Sequence, residues 1–182
     1  FKFEYIDLGG GMGIDYENKN RKLNLNRYSK SIKKILIKNK SKIIFEQGRS
    51  IIGNSGFLIS KIIYIKEGHK KDFIILDAAM NDLMRPALYN ANHRIIPANK
   101  NSKKTKKSYE FVGPICESTD KFSTLKGFQK LKEKDLILIC DVGAYGMSLS
   151  SNYNLRPKST ELLIDNSKIQ VITKRQNLKD LI

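Results

Sequence analysis

Apolar and polar positions alternate from Phe3 through Tyr5 and Ile6 to Leu8, and the alternation stops at Gly9-Gly10-Gly11-Met12-Gly13. A strand running into a glycine turn has this pattern. Between Leu25 and Asn39 the period changes: Leu25, Tyr28, Ile32, Ile35 and Leu36 recur at helical spacing, with Lys30, Lys33, Lys34 and Lys38 on other faces. The spacing predicts an amphipathic helix. Lys42 to Phe45 then reads as a short buried strand leading into Glu46-Gln47-Gly48-Arg49. Strand, glycine loop, helix and strand in that order form a βαβ unit.

After Gly53-Asn54-Ser55-Gly56 the helical period disappears. Phe57 to Lys66, Asp72 to Leu76, Tyr109 to Val112, Leu136 to Cys140, Glu161 to Ile164 and Ile169 to Thr173 read as successive strands. A mostly antiparallel β domain over 57–182 is therefore expected to follow an α/β part over 1–56. Pro86 is expected to interrupt a helical stretch around Asn81 to Asn90, and Leu178 to Ile182 to close with a helical turn. Lys100 to Lys107 holds five lysines and reads as a solvated loop. The chain opens in mid-pattern without an initiating Met, so a preceding N-terminal part is expected.

The 182 residues suffice for one domain or one and a part, and 40% hydrophobic content excludes a disordered chain. No run approaches the roughly 18 apolar residues of a membrane span, and no signal peptide is recognisable, so a cytoplasmic, membrane-free protein is expected. The net charge of +16 suggests an anionic partner until its source is examined. Lys supplies 27 of the basic residues and Arg only 7, alongside 24 Ile and 15 Asn. Those three abundant types share A/T-rich codons, and readers of phosphate and bases favour Arg forks, so nucleic acid is not expected as a partner. Cys116 and Cys140, with two distant histidines, make neither a disulfide framework nor a four-ligand zinc site. Reduced thiols and no metal are expected.

Two segments carry chemistry at strand ends. A glycine run lets successive amides converge without Cβ atoms in the way, which suits phosphate, although such a run is more often only a turn. The dinucleotide spacing does not fit, because position 14 is Ile. Glu46 and Arg49 follow the next strand, where they could serve a phosphorylated, protonatable ligand or simply pair with each other.

Five ordered segments together resemble a known family. They are Asp7-Leu8-Gly9-Gly10-Gly11-Met12-Gly13-Ile14, Glu46-Gln47-Gly48-Arg49-Ser50-Ile51, 77–89 from Asp77-Ala78-Ala79-Met80 to Arg85-Pro86-Ala87-Leu88-Tyr89, Gly113-Pro114-Ile115-Cys116-Glu117-Ser118-Thr119-Asp120, and Asp141-Val142-Gly143-Ala144-Tyr145. This set resembles the diaminopimelate decarboxylases. The resemblance implies pyridoxal 5'-phosphate as cofactor, meso-diaminopimelate as substrate, and L-lysine and carbon dioxide as products. It further implies the C-terminal half of a homodimeric two-domain enzyme: the end of a (β/α)8 barrel followed by a β domain.

By the same resemblance Gly9, Gly10 and Gly11 cradle the cofactor phosphate, near Gln47, Gly48 and Arg49, while Glu46 pairs with the pyridine nitrogen. The family usually has Pro at the position of Gln47. Arg49, Arg85 and Tyr89 match substrate-binding positions, and Tyr145 matches a tyrosine that contacts phosphate and substrate. Arg85 and Tyr89 stand four apart, so one helical turn could present both to a carboxylate; outside this motif, Arg85 in a surface ion pair and Tyr89 at a core edge would be the plainer reading.

Cys116 matches the catalytic proton donor and Glu117 a residue that receives the substrate's ammonium, both reaching a partner subunit's site. Thiols carry their proton at neutral pH in ordinary surroundings, which suits that role. Ornithine and arginine decarboxylases have Cys-Asp-Gly where this chain has Cys-Glu-Ser, and these related enzymes are the alternative assignment. The family's Schiff-base lysine precedes the matched segments, and none of the 27 lysines lies in its context, so this stretch is expected to be inactive by itself. Cys140 reads as inert core, Asn152 to Pro157 as structural, and His69 and His93 as isolated residues.

Overall fold

The computed structural model describes residues 3–19, 23–100 and 103–182. Strand β1 (Tyr5–Asp7), helix α1 (Leu25–Asn39) and strand β2 (Lys42–Ile44) form the expected unit, with β1 and β2 parallel. The Asn24 side chain caps α1 by accepting from the Arg27 amide at 2.9 Å, and Lys40 ends it in a left-handed conformation. Expected as buried, β2 is not: Ile44 is exposed, because the strand pairs only with β1.

A short helix, α2 (Arg49–Ile52), leads to strand β3 (Phe57–Lys66). Strands β4 (Lys71–Leu76), β5 (Ile95–Pro97), β6 (Ser108–Val112), β7 (Lys121–Leu125) and β8 (Leu136–Cys140) join it in a six-stranded sheet. The order is β5-β8-β3-β4-β6-β7, with β4 and β6 parallel and every other pair antiparallel. A β-bulge between Ile62 and Tyr64 in β3 marks a change of register against β4. The core lies on one face, where Ile62, Ile74, Phe111, Ile137 and Ile139 are completely covered. Burying each such side chain contributes about 1.5–3 kcal/mol. Strands β9 (Glu161–Asp165) and β10 (Lys168–Thr173) form a separate hairpin. Its two-residue turn, Asn166 and Ser167, has positive φ at both positions, as right-twisted hairpins favour.

Pro86 begins a helix and does not interrupt one. Helix α3 spans only Arg85–Tyr89, with Pro86 in its first turn, where a missing N–H leaves no bond unmade. The lysine-rich segment is only partly a free loop. Residues 101 and 102 lie outside the described residues, but 103–105 runs along 128–130, and Lys107 pairs with Asp72 at 3.2 Å. The closing turn is Leu178–Leu181, capped reciprocally by Asn177 and Asp180. Among the described residues no helix is long and apolar enough to cross a membrane.

Candidate active site

The loops after β1 and β2 are built as a pair. The Asp7 carboxylate accepts from the Gly9 amide at 2.7 Å, and the Glu46 amide donates to the Gly9 carbonyl at 2.9 Å. Gly9 and Gly11 are left-handed, at φ of 64° and 72°, and a Cβ on Gly10 would collide with the Glu46 carbonyl. Gly9 therefore shapes the turn, its amide donating to the Asp7 carboxylate. Among the described residues the Gly10, Gly11 and Met12 amides have no hydrogen-bond partner.

Gly10, Gly11 and Met12 line a cleft of about 350 Å³ together with Glu46, Gln47, Gly48, Arg49, Ser50 and Tyr145. Arg49 donates from Nη2 to the Gly11 carbonyl at 3.5 Å, and Glu46 and Arg49 form no ion pair with each other. Free amides beside a guanidinium make a site for an anion such as phosphate.

Tyr145 comes to this cleft from the far end of the chain because two backbones approach closely. The Gly143 amide donates to the Gly53 carbonyl and the Val142 amide to the Gly56 carbonyl, both at 3.0 Å. A Cβ on Gly56 would strike the Gly143 main chain, and one on Gly143 would strike the Ile52 carbonyl. Tyr145 itself is left-handed, at φ of 64°, a conformation uncommon outside Gly, Asn and Asp.

Arg85 is only 6% exposed, a different environment from the surface ion pair that a lone arginine would suggest. Its Nη1 donates to the Tyr16 hydroxyl at 2.7 Å and to His93 Nε2 at 3.1 Å. The guanidinium carbon lies 5.0 Å from the Tyr16 ring centroid and 5.9 Å from that of Tyr145, next to the cleft. Tyr89, at the other end of the same helix, is 63% exposed. His93 is not isolated: it is 3% exposed and bonded on both ring nitrogens.

Cys116 is exposed and Glu117 half-buried, on a turn away from the cleft lining. The Thr119 amide and hydroxyl both donate to Glu117 and hold its carboxyl below the usual carboxylate range. The turn is fixed by Asp120, which the sequence reading left without a role. One carboxylate oxygen accepts from the Met80 amide at 2.7 Å and the other from the Ile115 amide at 2.9 Å. Burial pushes the Asp120 carboxyl up, but these two amides favour its charged form. Asp120→Asn would turn an NH2 group toward one of the amides. We expect it to destabilise the chain by about 1–3 kcal/mol in chemical denaturation, and an unchanged midpoint would show that the turn is held otherwise.

Cys140 is buried and its thiol is pushed up by burial, in keeping with inert core. The structural reading of Asn152 and Arg156 also holds, since Arg156 Nε donates to Asn81 Oδ1 at 2.9 Å and Asn152 Nδ2 donates to the Arg156 carbonyl at 2.9 Å.

Comparison with known proteins places these features in a wider set. Residues 12–143 match the family model for the C-terminal sheet domain of pyridoxal-dependent decarboxylases. The diaminopimelate decarboxylase of Aquifex aeolicus is 40% identical over 177 residues, covering 97% of this chain and 42% of that protein. A crystal structure of the Helicobacter pylori diaminopimelate decarboxylase complexed with L-lysine is 43% identical with a TM-score of 0.85, over 98% of this chain and 43% of that one. The diaminopimelate decarboxylase structure from M. jannaschi, at 33% identity, has a TM-score of 0.90 over 100% of this chain and 42% of its own. This chain thus spans less than half the length of the relatives it matches.

Proposed function

The chain belongs to the pyridoxal-dependent decarboxylases through their C-terminal sheet domain, and from that premise we propose that the intact protein converts meso-diaminopimelate to L-lysine and carbon dioxide. The observation that carries this reading is the cleft, in which free glycine amides, Glu46, Arg49 and Tyr145 meet from three separate motifs. In the same reading residues 1–56 contribute the last strands and helix of a (β/α)8 barrel and 57–182 its C-terminal β domain. The protein works as a cytoplasmic homodimer.

Pyridoxal phosphate, when bound, supplies the electron sink for the carbon that loses its carboxylate. The residues present fit it. Gly10 and Gly11 would hold the phosphate with their amides and Arg49 with its fork, while Gly9 sets the turn and Gln47 and Gly48 carry the facing loop. Glu46 would keep a proton on the ring nitrogen. Arg49, Arg85, Tyr89 and Tyr145 bind and orient the substrate, and Arg85 suits a carboxylate because its charge is already desolvated and braced. Glu117 takes the substrate's ammonium, and Cys116 Sγ delivers a proton to the carbon that has lost carbon dioxide; both groups serve the partner subunit's cleft. The lysine that anchors the cofactor comes from another part of the intact protein, so this stretch is inactive by itself.

Dissociation of pyridoxal phosphate from the intact protein tests the cleft. Arg49→Ala removes a charge-assisted contact of about 1.5–3 kcal/mol, which weakens binding roughly tenfold or more. Unchanged cofactor affinity would remove Arg49 from the phosphate site and undo the reading built on it.

A further inference from the structure

His93 is bonded to two partners whose chemistry fixes its state. Its Nδ1 lies 2.9 Å from the Cys140 carbonyl, which can only accept, so Nδ1 carries the hydrogen. Its Nε2 lies 3.1 Å from Arg85 Nη1, which can only donate, so Nε2 presents a lone pair. The ring is therefore neutral, and it stands edge-on to Tyr16 at 5.1 Å between centroids. On the Arg85 side, Nη1 is held by Tyr16 and His93, while Nε and Nη2 have no partner among the described residues.

We propose that His93 is a positioning residue that braces the Arg85 guanidinium for the substrate's carboxylate, and that protonation of its Nε2 sets the acid limit of substrate binding. This inference rests on the reading of Arg85 as a substrate-binding residue. A protonated Nε2 would point a hydrogen at the guanidinium and replace a hydrogen bond with repulsion. The groups facing the ring are the Tyr16 ring from the loop after β1, Arg85 from α3, and Cys140 and Asp141 from the end of β8.

Burial, joined by the Arg85 charge, holds the imidazole below its ordinary 6.5 and outweighs the Cys140 carbonyl and Asp141, which act the other way. The folded chain binds this proton less readily than the unfolded one. The arrangement is thus complete above about pH 6.5 and is lost as pH falls through the lowered value.

The test uses the intact protein with its cofactor. Nitrogen-15 spectra of the histidines should show His93 still as the neutral Nδ1–H tautomer at pH 6.5, where a free imidazole is half protonated, and KM for meso-diaminopimelate should rise as pH falls through the lowered value while kcat changes little. His93→Gln keeps an acceptor for Arg85 but cannot titrate, so it should raise KM only a few-fold and flatten the acid rise. An imidazole that protonates at its ordinary value, or an acid rise that survives in His93→Gln while Arg85→Lys raises KM, would overturn the inference alone. Unchanged KM in Arg85→Lys would overturn the underlying assignment of Arg85 and the inference with it.

Discussion

Cys116→Ala in the intact protein is expected to lower kcat about 10²- to 10⁴-fold and leave KM nearly unchanged, the effect of removing a general acid that acts after the substrate is bound. The direction follows from position. Cys116 is exposed on a turn that the buried Asp120 carboxylate fixes from two sides, and it does not line the cleft of its own chain. In the proposed function it serves another subunit, and this has a second consequence. Cys116→Ala mixed with an inactive cleft variant, Glu46→Ala/Arg49→Ala, should regain activity once subunits exchange. At equal amounts about half the dimers are mixed and each mixed dimer holds one intact site, so activity should return to roughly a quarter of wild type. Exchange without recovery would mean that Cys116 acts in its own chain, and a small, equal change of kcat and KM would mean that another group delivers the proton.

In the six-stranded sheet, the strands that the sequence makes legible are the four inside it. Leu136 to Cys140 is apolar at every position because β8 lies between β5 and β3, and its Ile137, Ile139 and Cys140 side chains are fully covered. The two strands that escaped notice, β5 and β7, are the edges of that sheet. Edge strands carry less apolar pattern: β5 has three residues and ends at Pro97, while β7 includes Lys121, Ser123 and Thr124. The parallel pairing of β4 with β6 has no local signal at all, since a strand reads alike in either direction.

At the site, legibility divides along the same line. Glycine turns and an Arg after a strand are local signs, and Gly10, Gly11, Glu46 and Arg49 do meet in one cleft. Tyr145 joins them through the approach of Gly56 to Gly143, far apart in the chain. The bracing of Arg85 needs Tyr16, His93 and the Cys140 carbonyl, brought together only by the packed fold. A single histidine carries no mark of such partners in its neighbourhood, so in the sequence His93 looks isolated. Asp120 was visible inside its motif, but its two amide partners come from separate loops.

In the proposed function this chain completes a decarboxylase specific for meso-diaminopimelate. In the proposed function Glu117 takes the substrate's ammonium, and it stands where the resemblance gives ornithine and arginine decarboxylases an Asp, one methylene shorter. Ornithine and arginine lack the second carboxylate of meso-diaminopimelate, and a substrate site that pairs such a group rejects analogues lacking it by far more than a methylene is worth, on the order of 10⁴-fold. The direct measurement is carbon dioxide and amine release by the purified intact protein, supplied with pyridoxal phosphate and offered meso-diaminopimelate, ornithine or arginine in turn. The account predicts L-lysine and carbon dioxide in equal amounts from meso-diaminopimelate and negligible turnover of the other two; faster release from ornithine or arginine would contradict it.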